Sequence, residues 1–171
     1  HAVFQSGEKD YSIPLLDPPD ELGGNPMSRG GYKIALSPDH KFAFVTEEVA
    51  GQVEVIDLTS ASSVAQIPVG PAPIGIVASS DGQEIYVGHV GGSISVIDGV
   101  QHVFKDSIAV GEVVTRRLAI SPDGSRIYSA TRGASGVQLI AVDPIARAVV
   151  DSLIVGEPTD LDVSVIDLAV S

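Results

Sequence analysis

Residues 74–98 read IGIVASSDGQEIYVGHVGGSISVID, and this stretch decides the fold. It opens on a short apolar run, Ile74 to Ser79, bounded by Pro73 and by the turn Ser80-Asp81-Gly82. A second run, Glu84 to Gly88, leads to a Gly91-Gly92 turn, and Ser93 to Asp98 then alternates strictly between polar and apolar residues. Val103 to Val110 closes the unit. Period-two alternation, broken by turn residues roughly every 8–12 positions, is the pattern of antiparallel β-strands, and no stretch carries a helical period.

The unit recurs. Ser37-Pro38-Asp39, Ser79-Ser80-Asp81 and Ser121-Pro122-Asp123 stand 42 residues apart, and Phe44, Tyr86 and Tyr128 keep the same step. Ile56-Asp57, Ile97-Asp98 and Val142-Asp143 recur at nearly that interval, as do Val69-Gly70, Val110-Gly111 and Val155-Gly156. A four-stranded unit of about 40 residues has the size of one propeller blade, which cannot bury both its faces alone and must stack on neighbours. The expected fold is therefore all-β, a β-propeller segment of three complete four-stranded blades with flanking strands of incomplete ones. The blades run over 34–70, 71–111 and 112–156. Their innermost strands, Ile34 to Leu36, Ile76 to Ala78 and Leu118 to Ile120, are expected to be the most buried. Residues 1–33 hold an outer strand, Tyr11 to Leu16, with Ala2 to Gln5 as its neighbour, and an irregular loop from Asp17 to Gly31. Residues 157–171 open a next blade, with Leu161 to Ser164 and Leu168 to Ser171 both reading as its innermost strand. Propellers close with roughly 4–8 blades, so three are expected to be completed by further blades or by another chain.

Val69-Gly70-Pro71-Ala72-Pro73, Ser80-Asp81-Gly82, Ile85-Tyr86-Val87 and Ser95-Val96-Ile97-Asp98 together resemble the YVTN family of β-propeller repeats, over roughly residues 34–156. Gly88-His89 and Ser129-Ala130 depart from it, standing where the family would show Thr-Asn. The resemblance implies blades like those of lactonase-type and nitrite-reductase-type propellers, and a secreted or periplasmic setting. It bears on fold more than function, since the repeat serves binding, surface and enzymatic proteins.

Composition narrows the partners. The chain carries 22 acidic against 10 basic residues, a net charge of −12, and such a surface repels phosphate backbones and anionic lipid. Nucleic acid and membrane are therefore not expected partners, and no window approaches the roughly 18 apolar residues of a span. No leader pattern stands at the start, and the first residue, His1, reads as the product of processing, tagging or cutting. With no cysteine in the sequence, disulfides, thiolate metal sites and a cysteine nucleophile are excluded.

Within a blade, loops alternate between two faces. The resemblance implies that the channel mouth is surrounded by the face with the loops leading into each innermost strand and those between second and third strands, and on it fall Arg29, Lys33, Arg116, Arg117 and Arg132, half of the basic residues. Counting back from the repeated serines sets Lys33, Gly75 and Arg117 at equivalent positions, with His89 in the matching loop of the middle blade. Cations gathered over a mouth would focus a small anionic ligand, a carboxylate or phosphate; the alternative is solvated loop cations balancing acidic neighbours. His1, His40, His89 and His102 fall on different elements without ligand spacing, so no metal site is expected. Glu47-Glu48 are sequence neighbours that point apart, and Asp160-x-Asp162 and Asp17-Pro-Pro-Asp20-Glu21 lack calcium-loop spacing. The Ser-Pro-Asp-Gly turns are turn chemistry. With no nucleophile elbow, phosphate loop or dinucleotide fingerprint, no catalytic residue and no cofactor are expected. The function read here is a non-catalytic scaffold binding a protein partner or a small anion at the mouth; the second reading is a lactonase- or lyase-type propeller enzyme with its site in the same place.

Overall fold

The structure, a computed structural model, describes residues 2–6, 9–13, 33–111, 117–133 and 136–154, with side chains over 33–111, 117–129 and 138–154. Among these residues there is no helix. The first strands, β1 (Ala2–Ser6) and β2 (Lys9–Ile13), pair antiparallel as a two-stranded sheet of their own. Lys9–Ile13 stands where a strand over 11–16 was expected, and the loop from Asp17 to Gly31 and all of 157–171 lie outside the described residues.

Three four-stranded antiparallel sheets follow, each taken in chain order. The first holds β3 (Ile34–Leu36), β4 (Phe42–Glu47), β5 (Gln52–Asp57) and β6 (Ser62–Pro68). The second holds β7 (Pro73–Ala78), β8 (Glu84–His89), β9 (Ser93–Asp98) and β10 (Val103–Ala109). The third holds β11 (Arg117–Ile120), β12 (Ile127–Gly133), β13 (Gly136–Asp143) and β14 (Ala148–Ile154).

The repeated residues build repeated turns. Ser37, Ser79 and Ser121 each donate a hydroxyl hydrogen bond to the Asp two positions on, at 2.7, 2.7 and 2.6 Å. Each serine oxygen also accepts from the first residue of the returning segment, the amides of Phe42, Glu84 and Arg126 at 2.9–3.0 Å. The fourth turn residue takes a left-handed conformation, Gly82 and Gly124 at φ 71° and His40 at 56°, which glycine adopts without steric cost. Asp57, Asp98 and Asp143 cap the turns between third and fourth strands, each accepting from the two amides at positions two and three beyond it. Four residues after each of these aspartates stands another left-handed residue, Ala61, His102 and Arg147. Each outermost strand then carries a register shift, skipping Val64, Lys105 and Val150 in the pairing, a bulge that strengthens the strand's twist.

The sheets stack face to face through side chains that alternate along the strands. Phe44, Val53 and Val55 of the first sheet pack with Ile85, Val87 and Ile97 of the second. On the second sheet's other face, Tyr86, Ile94 and Val96 pack with Ile127, Ile140 and Val142 of the third. Alternation lets the middle sheet serve two cores at once. Each fully buried side chain of this size stabilises the fold by about 1.5–3 kcal/mol.

Burial departs from the expected pattern. The innermost strands are not the most buried: Ile34 and Leu36 are each 45% exposed, and Ile76, Val77, Leu118 and Ile120 are half-buried. Burial peaks on the second and third strands, where Phe44, Val55, Ile85 and Ile97 are all at 0%. The reason is position. A central strand has a strand on either side and a sheet on its face, whereas an innermost strand has an open edge.

Candidate functional site

The strand register sets the equivalence of the mouth positions. Ile34 pairs with Val45, Ile76 with Val87 and Leu118 with Ser129, so Lys33, Gly75 and Arg117 occupy the same rung at the start of their innermost strands. Lys33 is fixed by its backbone: its amide donates to Thr46 Oγ1 at 3.0 Å and its carbonyl accepts from the Thr46 amide at 3.0 Å. Leu118 and Ile120 pack on the second sheet, so Arg117 leaves from the opposite face of β11. Lys33 lies on the Phe44 face of its sheet, one rung beyond the Ala35–Phe44 pair. Both cations thus project on corresponding sides of their sheets, and the position between them in the repeat is a glycine. Lys33 and Arg117 are half-buried, and neither charged group forms an ion pair or side-chain hydrogen bond among the described residues. Arg132 sits on β12 opposite Val137, with its side chain outside the described set, and Arg29 and Arg116 lie outside the described residues.

His89 is not the loop histidine its sequence position suggests. It ends β8 and is 2% exposed, with Nδ1 2.9 Å from the Pro71 carbonyl and Nε2 2.9 Å from Ser95 Oγ. Ser95 Oγ in turn lies 3.0 Å from the Val69 carbonyl. This chain ties β8 and β9 to the connection between first and second sheets. The Pro71 and Val69 carbonyls can only accept, so Nδ1 donates to Pro71 and the Ser95 hydroxyl donates to Val69. Burial holds the His89 imidazole below its usual range, partly offset by the bond to Pro71.

His102 is a second, half-buried imidazole. Its ring meets Phe42 edge-on at 4.7 Å and Phe44 at 5.7 Å between centroids, across the joint of the first two sheets. Burial again lowers its pKa, against the pull of Asp98. Both imidazoles therefore take protons less readily in the folded chain than in the unfolded one, where they titrate near pH 6.5. Their contribution is full above that pH and is lost as pH falls below it. Stability should thus decline between pH 7 and pH 5, and His102→Asn, which keeps a residue tolerant of the left-handed backbone, should flatten that decline. Urea unfolding at the two pH values measures it; an unchanged slope in the variant would contradict the assignment. A separate loss belongs below about pH 4, because serine hydroxyls hold Asp39 and Asp123 down to about 2.

Absent from the sequence reading is an ionic cluster between the second and third sheets. Glu84 Oε1 accepts from Arg147 Nη2 at 2.5 Å and from Lys105 Nζ at 2.6 Å, while Oε2 accepts from the Tyr86 hydroxyl at 2.6 Å. Asp106 stands 3.6 Å from Arg147 Nε. Burial pushes the Glu84 carboxyl up, but these three donors outweigh it and bring it to about 2. Glu84 is the counterpart of Phe42 and Arg147 of His102, residues of different chemistry, so the repeat carries no signal of it. Among the described residues no three His, Asp or Glu side chains gather as metal ligands.

No protein-family model and no curated protein matches the chain. Solved structures do. It is similar to hydrazine synthase of Kuenenia stuttgartiensis, with 29% identity and a TM-score of 0.67 over 71% of this chain and 36% of that one. It is also similar to U3-55K and to the WD40 repeats of RRP9, each at 13% identity and a TM-score of 0.63, over 72% of this chain and 42% of theirs. The chain thus spans well under half the length of these structures. Three stacked four-stranded antiparallel sheets and these likenesses define the fold as an incomplete β-propeller.

Proposed function

We propose that the chain is a non-catalytic binding scaffold, a YVTN-type propeller segment completed by further blades or another chain, which takes a small carboxylate or phosphate ligand or an acidic protein segment at its mouth. The observation that carries this reading is the pair Lys33 and Arg117: two half-buried cations on one rung of the repeat, without ion pairs among the described residues of a chain of charge −12. In an acidic protein, cations held half out of water and unpaired locally are the groups an anion would engage. The remaining candidates Arg29, Arg116 and Arg132 belong to the same face in this reading, and His89 supports the loops behind it.

The chemistry of the other ionisable groups fits a scaffold. Asp39, Asp57, Asp81, Asp98, Asp123 and Asp143 direct their oxygens at turn amides and serines, and Glu84 joins two blades. Titration with citrate or phosphate, followed by calorimetry or thermal shift, tests the reading. Arg117→Ala should weaken the binding by roughly 1–3 kcal/mol, the value of a charge-assisted hydrogen bond, and added salt should weaken it further. No response at millimolar ligand would end the proposal.

A further inference from the structure

Each blade joint described here follows one rule. The left-handed residue in the turn before a blade's fourth strand reaches back onto two alternate residues at the start of the preceding blade's second strand. At the first joint, His102 packs on Phe42 and Phe44. At the second, Arg147 binds Glu84, which also holds Tyr86. The acceptor pairs lie 42 residues apart, and the next pair in the series is Arg126 and Tyr128 of the third sheet.

Among the described residues that third pair has no such turn residue set against it. Tyr128 is half-buried, whereas its counterparts Phe44 and Tyr86 are 0% and 3% exposed. Arg126 uses Nη1 on the Ser125 carbonyl and on Asp143 Oδ2, at 2.6 and 3.1 Å, leaving Nε and Nη2 without a partner among the described residues. A second copy of this chain does not supply one. It would have to offer its first sheet, where the turn residue corresponding to His102 and Arg147 is the short, uncharged Ala61, which cannot engage Arg126.

We propose that the Arg126–Tyr128 face docks a further four-stranded blade from outside these three, one that presents an acidic residue at the left-handed position of its third-to-fourth-strand turn. Charge and backbone conformation are complementary together. Arginine with a tyrosine beside it mirrors the second joint, where the acid is on the acceptor strand and the arginine on the turn. Aspartate meets both demands at that turn position, since it pairs with guanidinium and tolerates positive φ better than most residues. The proposal rests on the reading that further blades complete the ring, but not on an anion at the mouth.

Two arms of one experiment, on the full chain, test it. In the first, the charges of the second joint are exchanged. E84R should lower the unfolding midpoint, since it sets a second guanidinium beside Arg147 and Lys105; E84R/R147D recreates the proposed arrangement and should regain most of the loss. A double variant no more stable than E84R alone overturns the blade-joint rule. In the second arm the chain is extended beyond Ser171 by a copy of residues 71–111 carrying either H102D or H102K. The acidic copy should raise the midpoint and slow amide exchange along β12 more than the basic one. Equal midpoints and equal exchange would show that the face does not select an acid, and would overturn the docking proposal while leaving the anion site untouched.

Discussion

Phe44→Ala should destabilise the chain by about 3–5 kcal/mol, the cost of deleting a fully buried aromatic ring and leaving its cavity. Phe44 is 0% exposed and lies in the cluster that joins the first two sheets, with Val53 and Val55 on its own sheet and Ile85, Val87 and Ile97 across the joint. Its ring also meets His102. The cavity would therefore open between two blades rather than within one, where neither backbone can close it without losing the stack. Phe104 provides the control, because it lies on the outermost β10 and is 47% exposed. Phe104→Ala removes the same atoms from a half-solvated site and should stay within about 1 kcal/mol. Urea denaturation of both variants measures the difference. Equal losses would mean that the core does not sit where the stacked sheets put it.

Glu84→Ala should cost about 2–3 kcal/mol, below the figure for a fully buried ion pair because its partners retain some solvent. The side chains of Glu84 and Arg147 are 15% and 23% exposed. Removing the carboxylate leaves the Arg147 guanidinium with Asp106 alone, at 3.6 Å, as its acidic neighbour, and takes away the acceptor of the Tyr86 hydroxyl. The surface pair Lys41–Asp39 offers the contrast. Its side chains are 67% and 51% exposed, so Lys41→Ala should change stability by less than about 1 kcal/mol. Thermal or urea unfolding at neutral pH distinguishes them, and a Glu84→Ala variant as stable as Lys41→Ala would remove the cluster from the account of what joins the blades.

The period was legible because turns demand particular residues. A serine hydroxyl, an aspartate two positions on and a residue able to take positive φ form one hydrogen-bonded unit, and that unit leaves a mark every 42 residues. The rung shared by Lys33 and Arg117 was legible for the same reason, since register follows from the turn. Burial was harder to read. Ile34 and Leu36 are as apolar as Ile85 and Ile97, but hydrophobicity does not reveal how many neighbours a strand has. The role of His89 depends on Pro71, 18 residues earlier, and on Ser95, 6 residues later, whose approach is a property of the folded joint. The Glu84–Arg147 contact spans 63 residues and joins chemically different counterparts of Phe42 and His102, so similarity between repeats hides it.

The central claim is that consecutive repeats stack as blades, and the contact of His102 with Phe42 tests it most directly. The two residues are far apart in sequence and belong to different sheets, yet their rings stand 4.7 Å apart at 74°. With only four histidines and four phenylalanines in the chain, the aromatic proton spectrum is simple enough to assign. The account predicts strong nuclear Overhauser cross-peaks from the His102 ring to the Phe42 ring and weaker ones to Phe44, lost on unfolding. A folded sample in which those cross-peaks are absent, with His102 titrating as a free imidazole near pH 6.5, would contradict the stacking of the blades.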